Sequence, residues 1–160
     1  MLIKTYGSSV YGIEATKITV EVNITTGTKY YIVGLPDNAV KESLQRIESA
    51  IMAIGYRMPR QKIVINLAPA DIRKEGSAYD LSMAIGILAA SGQIEIDNLG
   101  DYLILGELSL DGTIQPIKGA LPIAIQARND DFKSLILPKA NAREAAIVSD
   151  INVYGIDNLT

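Results

Sequence analysis

Cysteine, histidine and tryptophan are all absent from the 160 residues of this chain. Without thiols or imidazoles, the chain cannot form a cysteine nucleophile, a Ser-His-Asp triad, or the zinc, haem and non-haem iron sites that need those ligands. The absence of cysteine also fits a reducing compartment. The aromatic residues are one Phe and eight scattered Tyr, which is poor material for a base-stacking surface.

Nucleotide-binding and membrane-spanning patterns are missing as well. There is no P-loop, no Gly-x-Gly-x-x-Gly and no carboxylate cluster with metal-ligand spacing, so we expect no cofactor or metal in these residues. The longest apolar run is about ten residues, whereas a membrane span needs about 20. The N-terminus has no signal-peptide pattern. We therefore expect a cytoplasmic protein without membrane contact.

The composition, 48% apolar and 21% charged, is that of one globular domain. The net charge of −3 argues against a nucleic-acid polycation, but charge is unevenly distributed. Residues 93–113 carry five carboxylates and no cation, and residues 57–74 carry five cations against Asp71. Two solvated loops of opposite charge would explain this. Alternatively, the cations contact nucleic acid or a partner protein, and the candidates are Arg57, Arg60, Lys62, Arg73 and Lys74.

Periodicity predicts an α+β fold, a mixed sheet with helices packed on one face. Alternation over residues 17–25 and a run at 29–34 predict a hairpin, and Pro36 and Asp37 should open an amphipathic helix. Helix 80–91 is apolar all round, so it should be buried. The remaining predicted elements are a strand at 61–69, an Asp-Gly hairpin at 102–117, helices at 119–129 and 141–148, and strands at 133–138 and 151–156.

One loop resembles a nucleophile loop, "KEGSAYDLSMAIGILAASG" at residues 74–92. Without histidine, a serine nucleophile needs a lysine base whose pKa is lowered by burial. Ser77 with Lys118 is the favoured pair, and Lys74 is a second candidate base. The alternative is that Ser77, or Asp80, only caps the helix or shapes the turn.

Several segments resemble a known family in order and spacing: "VGLP", "VKES", "INLAPAD", "KEG", "YDL" and "GELSLDG". The chain is similar to the N-terminal domain of the bacterial ComM/YifB proteins, which are magnesium-chelatase-like AAA+ ATPases. The resemblance implies that residues 1–160 form one N-terminal domain of a longer protein. An AAA+ motor beyond residue 160 would bind ATP and magnesium. The resemblance implies that this domain contacts the motor of its own chain and neighbouring subunits of a hexameric ring. DNA is a further candidate partner. The process implied is natural transformation.

The domain also resembles the proteolytic domain of Lon, a fold shared with a small-subunit ribosomal protein domain and GHMP kinases. In Lon-type proteases the loop reads Lys-Asp-Gly-Pro-Ser-Ala-Gly before an apolar helix that contains Met-Ala. Aligned without gaps, Lys74, Gly76 and Met83-Ala84 match, and Ser77 takes the proline position. The nucleophile position holds Ala78.

The second half of the chain resembles the protease segment that carries the general base. Gly106-Glu107 and Pro116-Ile117 match, and the base position holds Leu121. Lys118 lies three positions earlier. The resemblance therefore implies a non-catalytic domain that serves assembly and engagement of DNA or a partner. The alternative is a Ser-Lys hydrolase that uses Ser77 and Lys118.

Overall fold

The protein is described by a computed structural model that covers all of residues 1–160. The strands are β1 (Leu2–Tyr11), β2 (Glu14–Thr25), β3 (Tyr30–Val33), β4 (Lys62–Ala68), β5 (Tyr102–Ile104), β6 (Glu107–Leu108), β7 (Ile114–Gln115), β8 (Ser134–Pro138) and β9 (Asn152–Ile156). The α-helices are α1 (Asn38–Lys41), α2 (Ser43–Ala53), α3 (Asp80–Ala90), α4 (Ala120–Asn129) and α5 (Lys139–Ala145). A 3-10 turn at Leu99–Asp101 precedes β5. None of these helices combines the length and apolarity that crossing a bilayer requires.

The larger sheet has the strand order β1-β2-β4-β3. Strand β2 pairs antiparallel with both β1 and β4, whereas β3 pairs parallel with β4. Every second residue of β2, from Ile18 to Ile24, is buried, and the residues between them lie on the other face. The alternation predicted for residues 17–25 is therefore confirmed.

The prediction that residues 17–25 and 29–34 form a hairpin is wrong, because β3 pairs with β4 and not with β2. The hairpin partner of β2 is β1, which the sequence pattern had not identified as a strand. Alternation determines which residues share a face, but it does not determine which strand lies alongside. Parallel neighbours need a crossover connection, and α1 and α2 provide one between β3 and β4.

The second half of the chain forms two smaller sheets. Strands β5, β8 and β9 are parallel and lie in that order, while β6 and β7 form a short hairpin around Asp111 and Gly112. Gly112 has a φ of +92°, which suits glycine in a tight turn. Only the inner part of the hairpin predicted over 102–117 is confirmed, because β5 pairs with β8 instead.

Helix α3 lies at the centre of the larger core, where ten of its eleven residues are buried. A Cβ atom added at Gly86 would lie 2.6 Å from Cγ2 of Val22 in β2. Any side chain at Gly86 would therefore push the helix away from the sheet. The prediction of a helix buried on most sides is confirmed.

Helices contact both faces of β1. On one face, the Thr5 hydroxyl donates to the carbonyl oxygen of Ser82 in α3 at 2.9 Å. Ser8 lies three residues along and so on the opposite face, where its hydroxyl donates to Oε1 of Gln126 in α4 at 2.8 Å. The α+β class with a mixed sheet is confirmed, and the structure refines the arrangement from helices on one face to helices on both.

A buried ion pair joins α2, α3 and β6. Nε and Nη2 of Arg46 donate to Oδ2 and Oδ1 of Asp80 at 2.7 and 3.0 Å. The Leu108 N–H donates to the same carboxylate at 3.1 Å. Asp80 is fully buried, and this burial raises the pKa of its carboxyl group, while the hydrogen bond from Arg46 opposes the rise. Asp80 therefore connects three elements, and neither it nor Ser77 caps α3, whose N-cap position holds Tyr79.

Replacing Asp80 should destabilise the fold strongly. Asp80→Ala leaves the Arg46 guanidinium without its main partner and the buried Leu108 N–H without an acceptor. We expect a loss of about 3–5 kcal/mol in the free energy of unfolding, measured by urea denaturation.

Glu42 offers a matched control for this experiment. Its carboxylate lies 3.9 Å from Nη1 of the same Arg46, but its side chain is 68% exposed. Glu42→Ala should therefore cost about 0.5 kcal/mol or less. Equal losses in the two variants would contradict the role given to Asp80.

Candidate functional site

A cavity of about 720 Å³ lies where the end of β1 meets two loops. We call it the β1 cavity. Its lining includes residues 8–11 of β1, the loop of residues 72–79 apart from Lys74, and residues 116–118. The lining mixes hydroxyl, charged and apolar side chains, and it contains Ser77, Ala78 and Lys118.

The loop of residues 72–79 is held in place by the segment that follows β3. The N–H of Lys74 donates to the carbonyl oxygen of Leu35, and the N–H of Asp37 donates to that of Lys74, both at 2.9 Å. The Asp37 carboxylate caps α1 by accepting from the Val40 N–H at 2.8 Å, as predicted, and its second oxygen accepts from the Gly76 N–H at 3.1 Å. One aspartate therefore starts a helix and orients the loop.

Lys74 does not reach the surface. It is fully buried, and its ammonium group donates to the carbonyl oxygen of Pro69. Burial lowers the pKa of this lysine, and the nearby Asp71 opposes the shift. Lys74 is one of the predicted contact residues and the second candidate base. The buried position removes it from a contact surface, because its amine is engaged inside the fold.

The two positions that the sequence resemblance assigns to a Lon-type nucleophile and base hold apolar side chains that pack on one cluster. Ala78 and Leu121 are half-buried, and both pack against the apolar cluster that includes Leu103, Ala124 and Leu135. A methyl group and an isobutyl group can neither attack a carbonyl carbon nor accept a proton.

Ser77 and Lys118 both line the β1 cavity, so the tertiary structure brings the alternative pair to the same site. No hydrogen bond joins Oγ of Ser77 to Nζ of Lys118. The carbonyl oxygen of Ser77 accepts from the Asp80 N–H at 3.2 Å. The side chain of Lys118 is exposed to solvent.

Three of the predicted contact residues form an exposed basic loop, residues 57–62, with Arg57, Arg60 and Lys62 as its cations. Gln93 fixes the start of the loop, because its side-chain amide accepts from the Arg57 N–H at 3.0 Å and donates to the Arg57 carbonyl oxygen at 2.8 Å. The ammonium group of Lys62 lies 5.8 Å from the centre of the Tyr31 ring. None of the three cations forms an ion pair.

Arg73 lies away from this basic loop. The basic loop precedes and begins β4, whereas Arg73 follows the end of that strand, and seven residues of strand span about 20 Å. Nε of Arg73 also lies 3.3 Å from a carboxylate oxygen of Glu75. The five predicted contact residues are therefore one exposed group of three, one paired arginine, and one buried lysine.

Tyr79 is a residue of the β1 cavity that the sequence analysis missed. Its side chain is buried, and burial raises the pKa of its phenol, while a hydrogen bond with Ser9 opposes the rise. Ser8 and Ser9 line the same cavity from β1. Nothing in the local sequence distinguishes these residues from ordinary strand or core residues, because β1 itself was not predicted.

The chain is similar to several known proteins. The family described as "Subunit ChlI of Mg-chelatase" matches residues 20–141. The competence protein ComM of Haemophilus influenzae is 41% identical over 150 residues, which is 93% of this chain and 29% of that protein. YifB of Escherichia coli is 44% identical over 149 residues, which is 92% of this chain and 29% of that protein. Lon protease 2 of Bacillus subtilis is 31% identical over 112 residues, which is 70% of this chain and 19% of that protein.

The chain thus spans 29% of the length of its ComM and YifB relatives, and the match lies in their N-terminal part. The weaker similarity to Lon protease 2 is consistent with a Lon-like α+β domain. This chain belongs to the magnesium-chelatase ChlI subunit family, and it corresponds to the N-terminal part of the ComM and YifB proteins.

Proposed function

We propose that this domain is the non-catalytic N-terminal domain of a ComM/YifB-type ATPase, and that it supports subunit assembly and engagement of DNA or a partner. The observation that supports the proposal is the pair of apolar side chains, Ala78 and Leu121, at the positions that the sequence resemblance assigns to a Lon-type nucleophile and base. Proton transfer needs two polar groups within about 2.6–3.2 Å. With neither group present, a retained scaffold favours binding over hydrolysis.

The longer protein would contain an ATPase motor in addition to this domain. Because ComM and YifB are more than three times as long as this chain, they have room for an AAA+ motor after residue 160. That motor would bind ATP and magnesium, and it would form a hexameric ring in the cytoplasm with neighbouring subunits. The name of the Haemophilus influenzae relative links that protein to competence, which supports a role in natural transformation.

The basic loop is the surface that best supports DNA engagement. Its three cations are exposed and unpaired, on a chain with a net charge of −3. Side-chain hydrogen bonds of Gln93 hold its first residue, so the cations lie on an anchored segment. Such cations bind phosphates by counterion release, which depends on salt and not on base sequence.

Removing the three charges should weaken DNA binding. The variant Arg57→Gln, Arg60→Gln, Lys62→Gln should lose affinity for a branched DNA at low salt, measured by fluorescence anisotropy. Each lost phosphate contact should also reduce the slope of log K against log salt by about 0.9.

A second triple variant removes the same charge elsewhere: Arg128→Gln, Lys139→Gln, Arg143→Gln. If contact occurs at the basic loop, this control should retain most of the affinity and the salt slope. An equal loss in both variants would show that only net charge matters. Absence of DNA binding by the unaltered chain would remove DNA from the proposal and leave assembly or a protein partner.

A Ser-Lys hydrolase is the second candidate function, favoured by one observation. Ser77 and Lys118 line the same cavity, so a rearrangement of the two loops could bring the groups together. The structure as it stands lacks the nucleophile–base hydrogen bond that identifies an activated serine.

A fluorophosphonate probe tests this candidate directly. We expect no labelling of the chain, because the Ser77 hydroxyl has no base within hydrogen-bonding distance. Lys118→Met and Ser77→Ala are the matched variants. Labelling that disappears in both variants would replace the non-catalytic proposal with a hydrolase.

A further inference from the structure

The tip of the β1–β2 hairpin presents two large apolar side chains to solvent. Tyr11 is 91% exposed and Ile13 is 90% exposed, more than any other large apolar residue of the protein. A two-residue turn, Gly12-Ile13, joins the strands, and Gly12 at its first position has a φ of +65°. A glycine with positive φ at that position is typical of a tight type II′ turn. The antiparallel ladder reaches the Tyr11–Glu14 pair, so the tip is an ordered projection.

An apolar groove lies elsewhere on the molecule. It has a volume of about 310 Å³, and all nine residues that line it are apolar. Helix α3 contributes Ile85, the segment before β5 contributes Ile96 and Leu99, and the C-terminal segment contributes Ile156 and Leu159. We call this surface the α3 groove.

The hairpin tip cannot fill the α3 groove of its own chain. Gly7 of strand β1 lies close to Ile104, which lines the groove. A Cβ atom added at Gly7 would lie 3.7 Å from the Ile104 carbonyl oxygen. From Gly7 the strand continues away for four residues, about 13 Å, before it reaches Tyr11. The ladder with β2 prevents it from folding back.

Most charged residues around the two surfaces are of opposite sign. Glu95 and Asp97 flank Ile96, and Asp157 follows Ile156; all three are exposed and without an ion-pair partner. On the hairpin side, Lys17 is exposed in the fourth pair of the ladder from the turn, with its ammonium group 5.6 Å from the centre of the Tyr6 ring. Lys118 is also exposed, next to Gly119, where an added Cβ would lie 2.9 Å from Cγ2 of Val10. Glu14 is the carboxylate at the turn itself.

We propose that the hairpin tip of one copy of this chain inserts into the α3 groove of a second copy. Ile13 and Tyr11 would occupy the groove, and Lys17 and Lys118 would face its acidic rim. The two surfaces differ, so the contact is heterologous, and each copy keeps a free tip or groove for the next. Contacts of this type build closed rings or open filaments. This inference rests on the proposed assembly role and names the surfaces that would perform it.

The absence of cysteine from the chain allows a direct test by cross-linking. The double variant Ile13→Cys, Ile96→Cys, treated with a short bismaleimide, should give a ladder of dimers, trimers and longer products. A mixture of the two single variants should stop at a heterodimer. Each single variant alone should remain largely monomeric, because a tip does not meet a tip.

The control pair is Ile13→Cys, Ile147→Cys, since Ile147 is 75% exposed and lies outside the groove. A further control adds Ile13→Asp to the Ile96→Cys chain. When this double variant is mixed with the Ile13→Cys chain, the heterodimer should still form, because the tip of the chain that provides the groove is not part of the contact. Adding Glu95→Lys and Asp97→Lys to the Ile96→Cys chain should reduce the heterodimer several-fold. All these positions are exposed, and circular dichroism checks that each variant is folded.

An equal ladder from the control pair, or dimers of the Ile13→Cys chain alone, would overturn the heterologous contact. No cross-linked product at any concentration would also overturn it. Loss of DNA binding in the basic-loop variant does not depend on this contact. If no cross-link forms but the basic-loop variant still loses DNA affinity, the contact between tip and groove is rejected and the proposed DNA engagement is not.

Discussion

The ion pair between Arg46 and Asp80 is the interaction on which the rest of this structure depends. A fully buried carboxylate is tolerated only when its oxygens are engaged, and here a guanidinium and a backbone N–H engage them. Asp80 is also the first residue of α3, where the helix dipole favours a negative charge. The pair therefore determines where α2 and β6 lie relative to the buried helix.

The same pair stabilises the shape of the β1 cavity. The loop of residues 72–79 ends at Asp80, and near its beginning Lys74 and Gly76 are bound by Leu35 and Asp37. Its two ends are thus attached to different parts of the fold. These attachments do not involve the side chain of residue 78, so the loop conformation does not depend on a hydroxyl group at that position. The similarity to Lon protease 2 is consistent with a shared scaffold, whereas the chemistry of a site depends on the residues it holds.

The surfaces proposed for assembly and for DNA do not compete for the same residues. The basic loop precedes and begins β4, and the hairpin tip joins β1 to β2. The α3 groove is formed by α3, the segment before β5, strands β5 and β8, and the C-terminal segment. The two regions are adjacent at one point, because Gln93, two residues before Glu95 on the acidic rim of the groove, binds the backbone of Arg57.

The sequence by itself determined the features that depend on neighbouring residues. The alternation of β2, the cap at Asp37, the Asp-Gly turn and the burial of α3 follow from side chains a few positions apart. The missing histidine and cysteine likewise excluded whole classes of site. Only the tertiary structure decided that β3 lies beside β4, that Lys74 is buried, and that Asp80 binds Arg46. Those outcomes depend on contacts between distant residues, such as the 34 positions that separate Arg46 from Asp80. A local pattern carries no information about which distant group will meet a given side chain, so packing decides it.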